Sequence, residues 1–198
     1  MSSERKARVE RKTAETDIRV DLAIDGCGAC DCNTGIGFFD HMLHAFARHG
    51  LFDLLVQAKG DTEVDDHHTI EDTGLVLGSA IRKALGEKQG IRRYGSVILP
   101  MDDALVLCAI DLGGRAWFSF DGEFRSEKCG DMSTQMVREF FYAISQQCGM
   151  NLHMMILDGR NDHHMIEALF KAFARALDEA TVKDPRISGV LSTKGSME

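Results

Sequence analysis

The chain has 198 residues, 44% of them hydrophobic and 27% charged, which is enough apolar material for one compact domain or two small halves around a buried core. With 19 Gly, 2 Pro and no apolar run long enough to span a bilayer, the composition excludes collagen-like, disordered and transmembrane chains. A formal net charge of −8 with no basic stripe argues against a nucleic-acid partner; a site for an anionic substrate must gather its own Lys and Arg.

From the N-terminus, residues 1–17 alternate Glu, Arg and Lys and lack the apolar core of an export signal, so a cytoplasmic setting and reduced thiols are expected. Residues 1–10 read as a tail. Cys27-Gly-Ala-Cys30-Asp-Cys32 carries a C-x-x-C spacing, but a tetrahedral zinc site wants a second pair, and Cys108, Cys129 and Cys148 are scattered. The segment reads instead as a Gly-containing turn followed by an extended stretch.

Strands are expected near 13–24, a helix over 38–49, a strand over 52–58 and a helix over 69–85. The pattern then starts again. Strands fall near 96–99, 104–112 and 116–120, a helix over 134–147, a strand over 151–157 and a helix over 166–181. The last helix places Ile166, Leu169, Phe170, Phe173 and Leu177 on one face. Three blocks match in order between the halves: IRVDLAIDG with LVLCAIDLG, FFDHMLHAFARHG with MVREFFYAISQQCG, and Asp66-His67-His68-Thr69-Ile70-Glu71 with Asp162-His163-His164-Met165-Ile166-Glu167. The chain is therefore an α+β protein with an internal duplication of two similar halves, 11–92 and 93–184, each half's helices covering one face of its sheet in a layered sandwich. Residues 185–198 form a small-residue tail.

The two DHHxxE motifs carry the chemistry. An Asp N-cap and a first-turn Glu would explain those two residue types at a helix start, yet neither explains adjacent His in both copies. At about 100° per residue, Glu71 lies roughly 40° from His67 and 60° from His68, so either His can share a metal with it. The two His diverge from one another, which suggests two ions rather than one. The aligned helix upstream adds His41 in the first half and Glu139 in the second. His41, His67, His68, Glu71, Glu139, His163, His164 and Glu167 are then eight candidate ligands for two ions. Imidazole with carboxylate and no thiolate suits Mn²⁺, Fe²⁺, Ni²⁺ or Zn²⁺, and open octahedral positions favour Mn²⁺.

Three stretches, TGIGFFDHMLHAFARHG, DDHHTIEDTGLVLG and RNDHHMIEALFKAFARAL, with the closing STKG, closely resemble imidazoleglycerol-phosphate dehydratases, from about Arg11 to Gly195. The resemblance implies a ribosomal protein S5 domain 2-like fold and a hydro-lyase of histidine biosynthesis. Such an enzyme converts D-erythro-imidazole-glycerol phosphate to imidazole-acetol phosphate and water, using two Mn²⁺ per active site. It also implies a 24-subunit homo-oligomer with active sites between subunits, and neither nucleic acid nor membrane as partner. The carbon that loses its proton has no neighbouring carbonyl; metals on both ring nitrogens would favour an imidazolate that expels the hydroxyl, acting as Lewis acids and as a template.

By position, the resemblance assigns the eight residues above to the metals. It gives catalytic roles to Glu15 (a candidate acid/base), His67, Glu71, His163 and Glu167. The substrate-contacting set is Glu15, His41, His49, His67, His68, Glu71, His163 and His164. Arg93, Arg115, Lys171, Ser192, Thr193 and Lys194 match the phosphate-binding positions. Glu139 stands where the family commonly has His, and Ala45 where it commonly has Gln. Rival readings are a two-metal phosphoester hydrolase, whose sites lean on Asp, a metal-storage assembly, and an RNA-binding α+β module.

Overall fold

The computed structural model describes residues 5–196. Residues 1–4 of the expected N-terminal tail and 197–198 of the C-terminal one lie outside the described residues. The first half runs β1 (Lys6–Lys12), β2 (Thr16–Ala23), β3 (Cys30–Asn33), α1 (Gly37–Gly50), β4 (Asp53–Gly60) and α2 (His67–Leu85). The second runs β5 (Tyr94–Met101), β6 (Ala104–Asp111), β7 (Trp117–Asp121), a small hairpin of β8 (Lys128–Cys129) and β9 (Met132–Ser133), α3 (Met136–Cys148), β10 (Asn151–Asp158) and α4 (Asp162–Thr181).

The two main sheets share one topology, and the β8–β9 hairpin is an addition of the second half. One sheet has the order β1-β2-β4-β3 and the other β5-β6-β10-β7. In each, the first three strands are antiparallel and the last joins in parallel. Inward positions alternate as a half-buried strand requires: Thr16, Ile18, Val20 and Leu22 on β2, and Ala104, Val106, Cys108 and Ile110 on β6, are all buried. The helices fill the space between the sheets. α2 lies on β1 and β2, α4 lies on β5 and β6, and the halves meet where α1 packs on α4 and α2 on α3.

That inner layer is built on phenylalanine. The Phe39 and Phe140 rings sit edge to face at 5.1 Å, Phe46 stacks on Phe173 at 5.5 Å and Phe140 on Phe170 at 5.3 Å. All five rings are essentially inaccessible, each contributing about 2 kcal/mol of burial. Gly149 closes α3 at φ 69°, a left-handed turn that a β-carbon would resist.

Two sequence expectations are corrected. The strands expected near 13–24 are one strand, β2, the second arm of a hairpin, and most of its first arm, β1, lies in the expected tail. β1 is an edge strand that turns only Ala7, Val9 and Arg11 inward; the Arg11 guanidinium pairs with the buried Asp72 carboxylate. Its alternation of charges therefore reflects an edge exposed on one face. The segment after Cys27 is, as expected, a turn followed by an extended stretch, with Asp53 Oδ1 accepting from Cys27 N (2.9 Å) and Ala29 N (3.0 Å) to hold the turn.

Candidate metal centre

Both His pairs open a helix, and both helix starts are built alike. The residue two before the first His caps the helix: Asp65 Oδ1 accepts from His67 N at 2.8 Å, and Asn161 Oδ1 from His163 N at 2.9 Å. The motif Asp is therefore not the cap. Asp66 and Asp162 are buried and grip the segment leading into α3: Asp66 accepts from the backbone and hydroxyl of Ser133, and Asp162 from Arg125 N (3.1 Å) and Ser126 N (2.7 Å). A third carboxylate crosses the halves, with Asp131 accepting from Gly37 N (2.7 Å) and Phe38 N (3.0 Å) at the start of α1. Asp162→Ala would take the carboxylate from two part-buried backbone bonds, to Arg125 N and Ser126 N, and is expected to lower unfolding free energy by about 1–2 kcal/mol, read from chemical denaturation.

These anchors fix two clusters related by the duplication. In the first, α1 supplies His41 and α4 supplies His163 and Glu167. Their donor atoms all lie within 4.8 Å of one another, with His163 Nε2 3.2 Å and His41 Nε2 3.6 Å from Glu167 Oε2. Lys171 Nζ takes the other oxygen, Oε1, at 2.8 Å. Burial pushes the Glu167 carboxyl up, but Lys171 and His41 outweigh it and hold the group below its ordinary value. In the second cluster α2 supplies His67 and Glu71, 3.4 Å apart. Its third member by symmetry is Glu139 on α3, the helix packed against α2; among the described residues the Glu139 side chain has no hydrogen-bond or ion-pair partner. Three ligands thus converge in one place and two in the other, and the eight do not join within one chain.

The second His of each motif faces away from its partner and meets carboxylates. His68 Nδ1 lies 3.1 Å from Asp61, and His164 Nδ1 2.6 Å from Asp103 Oδ1. Those bonds raise both imidazoles above their ordinary value. Asp103 is held well below the usual carboxylate range by His164 and by the N–H groups of Arg160 and Asn161. A carboxylate on Nδ1 fixes the ring's orientation and leaves Nε2 to meet another group. That other group comes from a hairpin turn in each half: Glu15 Oε1 is 3.9 Å from His68 Nε2, and Asp102 Oδ2 is 3.5 Å from His164 Nε2. Sequence reasoning found Glu15 but missed Asp61, Asp102 and Asp103. The adjacent Asp pair at a two-residue hairpin turn was the available signal for the latter two.

His49, at the end of α1, lines a cavity of about 440 Å³ with His41, His44, Ala45 and Glu167. Burial and the charge of Lys171 lower its imidazole. Arg93 forks onto Asp111 (2.6 and 3.0 Å) and donates to the Leu191 carbonyl (2.8 Å), which brings it to the tail. Ser192 Oγ accepts from Lys194 N, Thr193 and Lys194 are exposed, and Arg115 is exposed on the loop after β6, while Lys171 stays with Glu167.

The donor set fits a small divalent cation: mixed imidazole and carboxylate atoms, already close, with one oxygen held ionised. Residues 34–177 match the family model for imidazoleglycerol-phosphate dehydratase. The chain is 60% identical over 194 residues to the imidazoleglycerol-phosphate dehydratase of Lachnoclostridium phytofermentans, covering 98% of this chain and 99% of that one. It is also 60% identical to that of Acetivibrio thermocellus, covering 98% and 100%. Among solved structures, the imidazoleglycerol-phosphate dehydratase of Staphylococcus aureus superposes with a TM-score of 0.82 at 35% identity, covering 90% of this chain and 99% of that one. That of Pyrococcus furiosus, in complex with (S)-C348, gives 0.81 at 34% identity, covering 95% and 99%.

Proposed function

This chain belongs to the imidazoleglycerol-phosphate dehydratase family, and we propose that its two His–Glu clusters hold the Mn²⁺ ions of the dehydration of D-erythro-imidazole-glycerol phosphate to imidazole-acetol phosphate and water. The chain is a hydro-lyase of histidine biosynthesis by its family. No helix among the described residues is long and apolar enough to cross a membrane. The observation that carries the metal reading is the convergence of His41, His163 and Glu167 from α1 and α4, repeated in part by His67 and Glu71 on α2.

When bound, Mn²⁺ would polarise the imidazole ring and help orient the glycerol phosphate chain for loss of water. The protein's own share is positional. Asp61 and Asp103 hold the His68 and His164 rings by Nδ1, so that each presents Nε2. Lys171 keeps Glu167 ionised as a ligand. Glu15 sits at its hairpin turn next to His68, exposed and free to exchange protons with a substrate hydroxyl or carbon. Arg93, Arg115, Ser192, Thr193 and Lys194 would answer the phosphate. The separation of the two clusters within one chain supports sites completed between subunits of a homo-oligomer; an assembly of 24 chains and a cytoplasmic setting belong to the same family reading.

The test is turnover of imidazole-glycerol phosphate by Mn²⁺-loaded protein. Imidazole-acetol phosphate is the expected product; free phosphate would indicate a hydrolase, and no turnover a storage assembly. Asp103→Asn and Asp61→Asn are expected to weaken Mn²⁺ binding by roughly 10–100-fold in calorimetric titration, with the fold retained by circular dichroism.

A further inference from the structure

Beside the candidate metal centre lies a second cluster that the proposed function does not use. Cys30 and Cys32 occupy alternate positions on β3 and point to the same side of the strand, with their sulfurs 3.1 Å apart. Both are free and half-buried against the helix layer. β3 is four residues long and pairs only with β4, at the sheet edge. Cys30 also lines the cavity that holds His41, His44, His49 and Glu167.

We propose that Cys30 and Cys32 form a reversible dithiol–disulfide couple in the wall of that cavity, with a hydroperoxide as oxidant. The sulfurs need to close by about 1 Å to reach bonding distance, and an edge strand with a single neighbour can supply that movement. The geometry separates this pair from the other thiols. Among the described residues Cys27 has no sulfur partner, its Sγ standing 3.5 Å from Asp53 Oδ1. Cys108 and Cys148 are sealed in the core, where burial pushes Cys148 up to about 12. By contrast, the hydrogen bond from Cys32 lowers the Cys30 thiol below its ordinary value, while keeping that hydrogen raises Cys32.

The steps balance. The Cys30 thiolate attacks one peroxide oxygen, the O–O bond breaks, and a proton carries the leaving oxygen away as water (or as an alcohol from an organic hydroperoxide), leaving a sulfenic acid. Cys32 sulfur then attacks the Cys30 sulfur. The S–S bond forms and the sulfenic oxygen leaves with the Cys32 proton as water. Two electrons pass from the thiols to the peroxide. A small dithiol reverses the step by exchange.

The couple itself is independent of the dehydratase reading; its effect on turnover rests on that reading. The experiment treats the whole, reduced protein with stoichiometric hydrogen peroxide, blocks remaining thiols with an alkylating agent, and locates the label by fragmentation of the 20–48 tryptic peptide. The expected result is a peptide lighter by two hydrogens before labelling, with Cys27 labelled, Cys30 and Cys32 unlabelled, and both recovered by dithiothreitol. Cys30→Ser and Cys32→Ser should each abolish that species. A ring through Cys27, oxidation beyond sulfenic acid without a disulfide, or thiols all still reactive would overturn the couple. Turnover of the oxidised form is expected to fall several-fold and return on reduction. Equal turnover in both forms would overturn the link to the cavity, whereas inactivity of both would count against the dehydratase reading and leave the peptide result standing.

Discussion

Glu167→Gln is expected to strip the first cluster of the proposed Mn²⁺ and to abolish turnover. The side chain keeps its size but loses the anionic oxygen that meets both His41 and His163, and it leaves the Lys171 ammonium without its partner. The fall in Mn²⁺ affinity should exceed the roughly 10–100-fold that loss of an outer partner costs. Glu71→Gln acts in the same direction by less, because the Glu71 side chain is 39% exposed against 11% for Glu167, and water can take the place of the lost oxygen. Elemental analysis after gel filtration measures both, and full Mn²⁺ occupancy in either variant would refute the assignment. The pair also has a signature in acid. Glu167 is held below its ordinary value, so in metal-free protein its stabilisation is complete above the unfolded carboxyl's pKa of about 4.3 and is lost as pH falls through the lower folded value. The difference in stability between wild type and Glu167→Gln should shrink over that interval.

The largest loss of stability is expected from the smallest residue. Gly95, on β5, lies directly under α4: a β-carbon there would stand 1.9 Å from the Ala176 carbonyl oxygen and 3.0 Å from Ala180 N. Backbone atoms cannot swing aside as a side-chain tip can. Neighbouring bonds strap the same helix to the same strand, Ser96 N to Glu179 Oε2 at 2.9 Å and Arg93 N to Ala180 O at 2.9 Å. Gly95→Ala must therefore lift α4 from the sheet or break the strand, at a cost of about 3–5 kcal/mol. For a chain of this size that lowers Tm by about 10 °C, compared at equal protomer concentration. Because α4 carries His163 and Glu167, metal affinity should fall with it. An unchanged melt would show that β5 and α4 do not meet as described.

Much of this architecture can be read from the residues. The repeated motif, the phenylalanine-bearing helices and the alternating strands each carry a period, and a period survives without coordinates. His41, His163 and Glu167 were legible because they stand in motifs, and Glu15 only through the family resemblance. β1 was not, since a strand with a single half-buried face and charged neighbours leaves only Ala7 and Val9 as apolar signal. Nor were Asp61 and Asp103, which reach His68 and His164 from 7 and 61 residues away through loops whose course depends on the finished fold. The role of Asp66 and Asp162 was hidden for a related reason. A carboxylate before a helix suits capping locally, and only the packed chain shows it turned toward the segment entering α3.

The exchange of helix partners, α1 with α4 and α3 with α2, carries a historical consequence. A half-length ancestor could not have assembled either cluster alone, because His41 belongs to one half and its companions His163 and Glu167 to the other. Two copies related by a dyad would have made both clusters at once. Fusion then freed the copies to diverge at single positions, as the contrast between His41 and Glu139 records, while the ancient homodimer persists as a fold inside one polypeptide.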